Sequence, residues 1–323
     1  MIKIKHKSRI DEDMGFGKNP TQNNQRLLNK DGSSNIKRKG LPFFKPHEAY
    51  NSLIFMSWSR FWITISLAYV SINLFFAMVY FGIGMQHLTG SVSHNSLDKF
   101  LDAFFFSAQT IATVGYGHLS PSGFLTNIVA AFESFLGLLT FALATGLLYG
   151  RFSRPTAKII YSKNMVVAPY QNGKGYMFRL ANLRSNQLIE LSIEVLLSIN
   201  VMESGKTTRR FVPLKLERSS INLLTLSWTV VHPLEEDSPL INLTPEDLMG
   251  ADAEFIVMLK AFDDAFSQTV HSRTSYKASE VMFDSKFAQI IKADENGIYE
   301  IDISKVSEYE KSFESEKPAF KQS

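Results

Sequence analysis

Two apolar runs decide most of what this chain can become. Residues 58–84, WSRFWITISLAYVSINLFFAMVYFGIG, and 124–150, FLTNIVAAFESFLGLLTFALATGLLYG, are each long enough to cross a hydrocarbon layer of about 30 Å as a helix. Trp58, Trp62 and Tyr80 stand near the ends of the first run, where amphipathic rings favour a membrane surface, and Arg60 can reach water from its end. The second run carries a single ionisable residue, Glu133. The rest of the 323 residues is polar or alternating, so an average of 45% hydrophobic residues hides a division into a membrane part and a soluble part.

The chain has no cysteine, which excludes a disulfide framework, a thiolate metal site and thiol redox chemistry. A net charge of +3 is too small to argue for a nucleic-acid partner. The distribution of charge says more. Lys37, Arg38, Lys39 and Lys45 precede the first run and Arg151, Arg154 and Lys158 follow the second, while the loop between them carries only Lys99. Basic residues stay on the cytoplasmic side, so both termini are expected there. Residues 1–42 are basic and then polar, with no secretory signal, and read as an N-terminal cytoplasmic segment that is mostly loop.

In 43–57 Pro46 opens a helical pattern with Tyr50, Leu53, Ile54 and Ser57 on one face; an interfacial slide helix fits, with a short core helix as the alternative. Between the two long runs, residues 97–112 show apolar spacing of period 3.6 and predict a re-entrant helix ending just before 113-TVGYG-117. The span 58–152 is thereby a transmembrane pore domain. From 153 the pattern becomes strand-like, with 190–200, 221–233 and 254–263 bounded by Gly, Pro, Asn and Asp, which predicts an antiparallel sandwich over 153–305. Residues 306–323 form a charged tail, expected to fray. The soluble part shows no P-loop, dinucleotide fingerprint, metal-ligand spacing or nucleophile–base set, so no enzyme is expected.

The TVGYG stretch carries the chemistry. Gly115 and Gly117 can take φ values closed to other residues, which lets successive carbonyls face one axis. Thr113 adds a hydroxyl, and Val114 and Tyr116 are expected to turn backward and pack. Taken alone, such a stretch could be a glycine-rich turn. Placed after a re-entrant helix and between two spanning runs, it resembles the selectivity filter of potassium channels, in which carbonyl dipoles replace the water shell of the ion. One loop makes one wall, so four copies must surround the axis.

The resemblance extends to DGSSNI (31–36), GLLYGRFSRPTA (146–157), RLANLRSNQLIE (179–190), SWTVVHP (227–233) and EDSPL (236–240). With the order of elements, these resemble the inward-rectifier potassium channels, most closely their prokaryotic branch, over about residues 30–305. The family implies an α-helical membrane pore of two transmembrane helices, interfacial helix, re-entrant pore helix and filter loop, plus an all-β immunoglobulin-like cytoplasmic sandwich. It also implies a homotetramer in the cell (inner) membrane, K+ as the permeant ion bound by the carbonyls of Thr113, Val114, Gly115 and Tyr116, and no cofactor. A membrane-anchored sensor or adaptor with little conduction is the competing class.

The same resemblance assigns single residues. Tyr149 matches a bulky position that narrows the pore at the inner-helix crossing, although an interfacial aromatic fits it too. Glu133 matches an acidic position behind the filter, with filter support, ion coordination and an ordinary interhelical contact as its readings. Phe141 falls in the cavity where strong rectifiers carry an acid, while Glu280 retains an acidic residue of the cytoplasmic pore, which leaves intracellular Mg2+ or polyamines as candidate weak blockers. Gln109 and Leu119 depart from an acid–base pair that braces the filter in eukaryotic members. Gly137 and Gly146 are candidate hinges or close-packing sites. Arg151, Arg154 and Lys158 match a region that binds anionic phosphoinositides, and would also serve as plain membrane anchors.

Overall fold

The computed structural model describes residues 26–37, 39–40, 46–92, 94–153, 157–203, 205–293 and 297–312. Arg38, Lys45 and Arg154 of the basic flanks lie outside them, as do residues 1–25 and 313–323. The chain forms two units, a helical one over 40–154 and a β-rich one made of 1–39 with 155–323.

In the helical unit α1 spans Pro46–Phe55 and α2 spans Trp58–Ile83. Two short strands, β1 (Leu88–Thr89) and β2 (Ser120–Pro121), pair antiparallel and close the base of the loop that contains α3, Ser96–Ile111. Asn95 starts α3 by accepting the Asp98 amide at 2.7 Å, which satisfies one of the donors a helix start leaves open. The inner helix α4 runs Phe124–Phe152. Only 17% of the most apolar window of α2, and of α4, is buried within the chain, so these are not core helices of a soluble domain. What the unit buries is the wedge of α3: Ala103, Phe106 and Ile111 pack on Phe76, Ala77 and Tyr80 of α2 and Ala130 of α4.

The β unit is a sandwich. In chain order its strands are β3 (Ile159–Tyr161), β4 (Met165–Tyr170), β5 (Gly173–Asn182), β6 (Leu188–Glu203), β7 (Lys206–Pro213), β8 (Ser220–Leu224) and β9 (Ser227–Pro233). A short helix α5 (Pro245–Gly250) precedes β10 (Glu254–Asp263), β11 (Gln268–Lys277) and β12 (Val281–Phe283). One sheet has the order β11-β10-β6-β7 with β8 on β6, the other β12-β4-β5-β3 with β9 on β5. Leu191, Ile193, Val195, Leu197 and Ile199 alternate along β6 into the core between the sheets, where Tyr176 stacks on Phe255 with ring centroids 5.6 Å apart.

Three sequence expectations differ. The run 221–233 is two strands in opposite sheets, because the bend at Thr225–Leu226 carries the chain across the core. Period-2 patterning is the same on either side of such a corner and does not mark it. The segment 26–36 is not free loop: Leu28 is buried with Leu196, Phe211 and Ile256, the outward residues of the first sheet, and Glu254 accepts the amides of Leu27 and Leu28. Residues beyond 305 are not all frayed either, since Val306 is buried and β16 (Tyr309–Lys311) pairs with β13 (Ser285–Phe287); β14 (Ile291–Ala293) and β15 (Tyr299–Ile301) form the hairpin between them.

Candidate permeation and gating site

The filter stretch hangs from the C-terminal end of α3. The amides of Thr113 and Val114 bond back to the carbonyls of Thr110 and Gln109 at 3.1 and 2.9 Å, and the backbone then alternates. Thr113, Gly115 and Gly117 have φ of 57°, 53° and 82°, while Val114 and Tyr116 between them stay outside the left-handed region. Alternating hand along an extended chain turns successive carbonyls to one side, which is what a column of ion-coordinating oxygens needs. Glycine accepts this conformation freely; for β-branched Thr113 it is a steric outlier costing on the order of 1–3 kcal/mol. Val114 and Tyr116 are 53% and 77% exposed in the single chain. A single wall offers them no surface to rest on.

Glu133 is fully buried in the helical unit. One of its carboxylate oxygens accepts the Tyr80 hydroxyl at 2.6 Å, the other the Ser107 hydroxyl at 2.5 Å, and Ser107 Oγ also lies 3.0 Å from Asn73 Oδ1. The acid therefore bonds α2 to α3 and α4, and neither oxygen hydrogen-bonds a filter residue. Its interhelical role is what the geometry gives; its hold on the filter is indirect, through α3. Gly137 is also a packing residue, since an added Cβ would sit 2.5 Å from the Ile111 carbonyl at the end of α3. Gly146 has open space around it, so only there does the hinge reading keep its steric freedom. Phe141 and Tyr149 are each 74% exposed on α4.

The basic flank divides. Lys158 is exposed just ahead of β3. Arg151 faces α1 instead: Nη1 donates to the carbonyls of Leu53 and Ile54 at 2.5 and 2.9 Å, and Nη2 to that of Met56 at 2.8 Å. The guanidinium carbon lies 4.4 Å and 4.5 Å from the ring centres of Trp58 and Phe61. Arg151 thus departs from the expected headgroup ligand, because both of its terminal nitrogens donate to backbone of the same chain, while its buried Nε has no hydrogen-bond partner among the described residues. Glu280 departs too. It forms ion pairs with Arg26 and, at 2.7 Å, with Lys30, and accepts the Lys277 amide. Burial alone would raise its pKa, but these partners hold the carboxyl below its ordinary range. A paired acid offers little net charge to a Mg2+ ion or polyamine.

Residues 159–322 match the pattern described as inward rectifier potassium channel C-terminal domain, and residues 60–154 match one described as ion channel. The chain is 38% identical over 300 residues to inward rectifier potassium channel Kirbac3.1 of Paramagnetospirillum magnetotacticum, across 91% of this chain and 99% of that protein. This chain belongs to the inward rectifier potassium channel family. It is also 26% identical over 311 residues to G protein-activated inward rectifier potassium channel 3 of Mus musculus and of Rattus norvegicus, across 88% of this chain and 77% of each. Two spanning helices followed by a β sandwich are the architecture of these channels, and a channel works without a catalytic centre.

Sequence reasoning about this channel missed several positions. Thr113 joins the glycines in left-handed backbone, and only the backbone geometry reveals it. Tyr80 and Ser107 complete the Glu133 cluster; Tyr80, expected with Trp58 and Trp62 at the membrane surface, is instead buried against the acid, and Ser107 within an apolar helix carried no signal. Gln109 and Leu119 offer no acid–base pair, and near the β1–β2 pair the backbone approaches closely, since a Cβ on Gly90 would lie 1.7 Å from the His118 carbonyl. Leu119 itself is buried in the helical core.

Proposed function

We propose that four copies of this chain form a potassium-selective channel in the cell (inner) membrane, with both termini cytoplasmic and K+ passing along the carbonyls of Thr113, Val114, Gly115 and Tyr116. The observation that carries the reading is the alternation of backbone hand at Thr113, Gly115 and Gly117, at the tip of a short helix between two spanning helices. The exposed apolar faces of α2 and α4 and the exposed Val114 and Tyr116 supply the surface that neighbouring copies and lipid would cover. Tyr149 is the gate in this reading: four rings converging on the axis exclude water, and a dry constriction stops ions. Anionic phospholipid modulates gating through Lys158 and Arg154, and rectification by Mg2+ or polyamines is weak, because Phe141 brings no charge and that of Glu280 is compensated.

Rubidium uptake into liposomes tests this. Uptake driven by a potassium gradient, blocked by barium and excluding sodium, is the expected result, from a particle of tetrameric mass in detergent. Equal uptake of sodium and rubidium, or a stable dimer, overturns it.

A further inference from the structure

Helix α3 wedges α2 and α4 apart, and it stops at Ile111. Past its last turn the gap between the two spanning helices continues as a cavity of about 340 Å3, walled by Ser71 and Phe75 of α2 and by Phe132, Leu136 and Thr140 of α4. Ile111 and Gly137 close it on the side of α3, and they press together: a Cβ on Gly137 would stand 2.5 Å from the Ile111 carbonyl and 3.0 Å from its Cα. Ser71 and Thr140 lie near the middle of their helices, so the cavity sits at the depth where a bilayer is hydrocarbon. The lining side chains are apolar apart from the hydroxyls of Ser71 and Thr140. A helical hydroxyl can turn back to the carbonyl four residues earlier, as Thr145 does to Phe141 at 2.9 Å, so these two do not demand a polar ligand.

Apolar cavities stay dry and admit apolar molecules, and a void left empty forfeits the contacts its walls would make. Phe75 and Phe132 on its walls are 57% and 56% exposed, so the cavity lies beside rings that face outward, toward the acyl chains surrounding α2 and α4. No charged residue lines it, so a headgroup finds nothing to bind there. We infer that the cavity is a binding site for one acyl chain of a bilayer lipid, lodged between α2 and α4 against the end of α3. The chain fills the space that α3 leaves and rests on Ile111, two residues ahead of Thr113, so it backs the turn from which the filter stretch hangs. For that last effect the inference rests on the filter reading of residues 113–117.

The experiment uses the full-length protein in liposomes that contain a phospholipid with a photoactivatable diazirine on one acyl chain. After illumination, peptide mass spectrometry should find adducts on Ser71, Leu136 and Thr140. Ser71→Phe puts a ring into the cavity and should remove most adducts on Leu136 and Thr140, while those on Leu67 and Phe81, exposed on α2 outside the cavity, persist. Thr140→Phe fills the same space from the other wall and serves where Ser71→Phe does not assemble. Rubidium flux through the parent should differ by about fivefold or more, the usual lower end of a coupling between sites, between vesicles of straight and of methyl-branched chains with one headgroup. That difference should vanish in the filled variants. A parent without adducts on Leu136 and Thr140 overturns the site, a neighbouring copy then being what covers it, and adducts that survive both fillings overturn it as ordinary lipid-facing surface. Equal parental flux in the two vesicles, or a chain dependence that survives filling, overturns the hold on the filter. Should the parent conduct no potassium, the channel reading fails while the adducts still decide whether an acyl chain occupies the cavity.

Discussion

Replacing Glu133 separates two roles for a buried acid behind a filter. Its carboxylate accepts hydroxyls from Tyr80 and Ser107 on two other helices, and no water-exposed side chain competes for them. Glu133→Gln keeps the shape but exchanges one acceptor oxygen for a donor, so one of the two hydroxyls loses its carboxylate acceptor; Ser107 can turn to Asn73 Oδ1, 3.0 Å away, and the full cost falls where Tyr80 is the one left over. Interhelical hydrogen bonds in membrane proteins average about 0.6 kcal/mol and reach about 1.7 kcal/mol. A buried hydroxyl left without a partner adds a further cost of about 1–3 kcal/mol. The expected destabilisation is thus about 1–4 kcal/mol per subunit, and Tyr80→Phe, which removes one donor, should cost less, about 0.6–2 kcal/mol. Because the pair shares one bond, the double variant should fall short of the sum by about 0.5–2 kcal/mol. Thermal dissociation of the tetramer in detergent reads the stability, and rubidium flux reads the consequence for α3 and its filter. A brace predicts that Tyr80→Phe and Ser107→Ala reproduce the flux defect of Glu133→Gln in milder form. The reasoning is refuted if Glu133→Gln abolishes flux with a parental dissociation temperature while both hydroxyl variants conduct normally, since the acid would then be acting on ions directly.

Tyr149→Ala should raise basal rubidium flux without altering the exclusion of sodium, because the ring lies at the far end of α4 from the filter; unchanged flux in an intact tetramer would move the gate elsewhere. His232 is buried in β9, with its ring nitrogens 2.5 Å from the Lys215 carbonyl and 2.8 Å from Ser238 Oγ, and burial holds its pKa below the ordinary 6.5. A depressed folded pKa means stability that is full above pH 6.5 and lost as pH falls below it, so the thermal midpoint of the β unit should drop on acidification and the drop should vanish in His232→Gln. Arg209 is fully buried against Asp252 at 3.1 Å and Glu254 at 3.6 Å; Arg209→Leu removes the cation beside the fully buried Glu254, while Asp252 keeps Lys277 at 2.7 Å, and the change should cost about 3–5 kcal/mol in denaturant unfolding of the β unit. The same change should loosen residues 26–36, whose amides Glu254 holds, and faster hydrogen exchange there would report it.

Hydrogen bonding and hydrophobicity act along a helix locally, and what they govern was legible. The starts of α2 at Trp58 and α4 at Phe124, the re-entrant α3 stopping before Thr113, and a β sandwich built from alternating strands all follow from apolar length and period. The left-handed backbone at Gly115 and Gly117 was legible as well, since glycine spacing records which backbone conformations the loop must reach. The bend at Thr225–Leu226 was not, because the pattern of alternation is identical before and after a change of sheet.

Charged side chains were legible only as sets of alternatives. Glu133 stood open between filter support, ion coordination and an interhelical contact, Arg151 between lipid ligand and plain anchor, and Glu280 was placed as a pore acid; the structure pairs each with groups far along the chain: the hydroxyls Tyr80 and Ser107, the carbonyls at Leu53 to Met56, the cations Arg26 and Lys30. A sequence states that a charge exists and on which face of its helix it falls. Only the tertiary structure decides which distant donors and acceptors come within about 3 Å of it, and an ionic group does its work through whatever lies within that distance. The sequence by itself therefore determined a membrane pore with a soluble sandwich, while packing alone decided which of its charges face outward and which hold helices together.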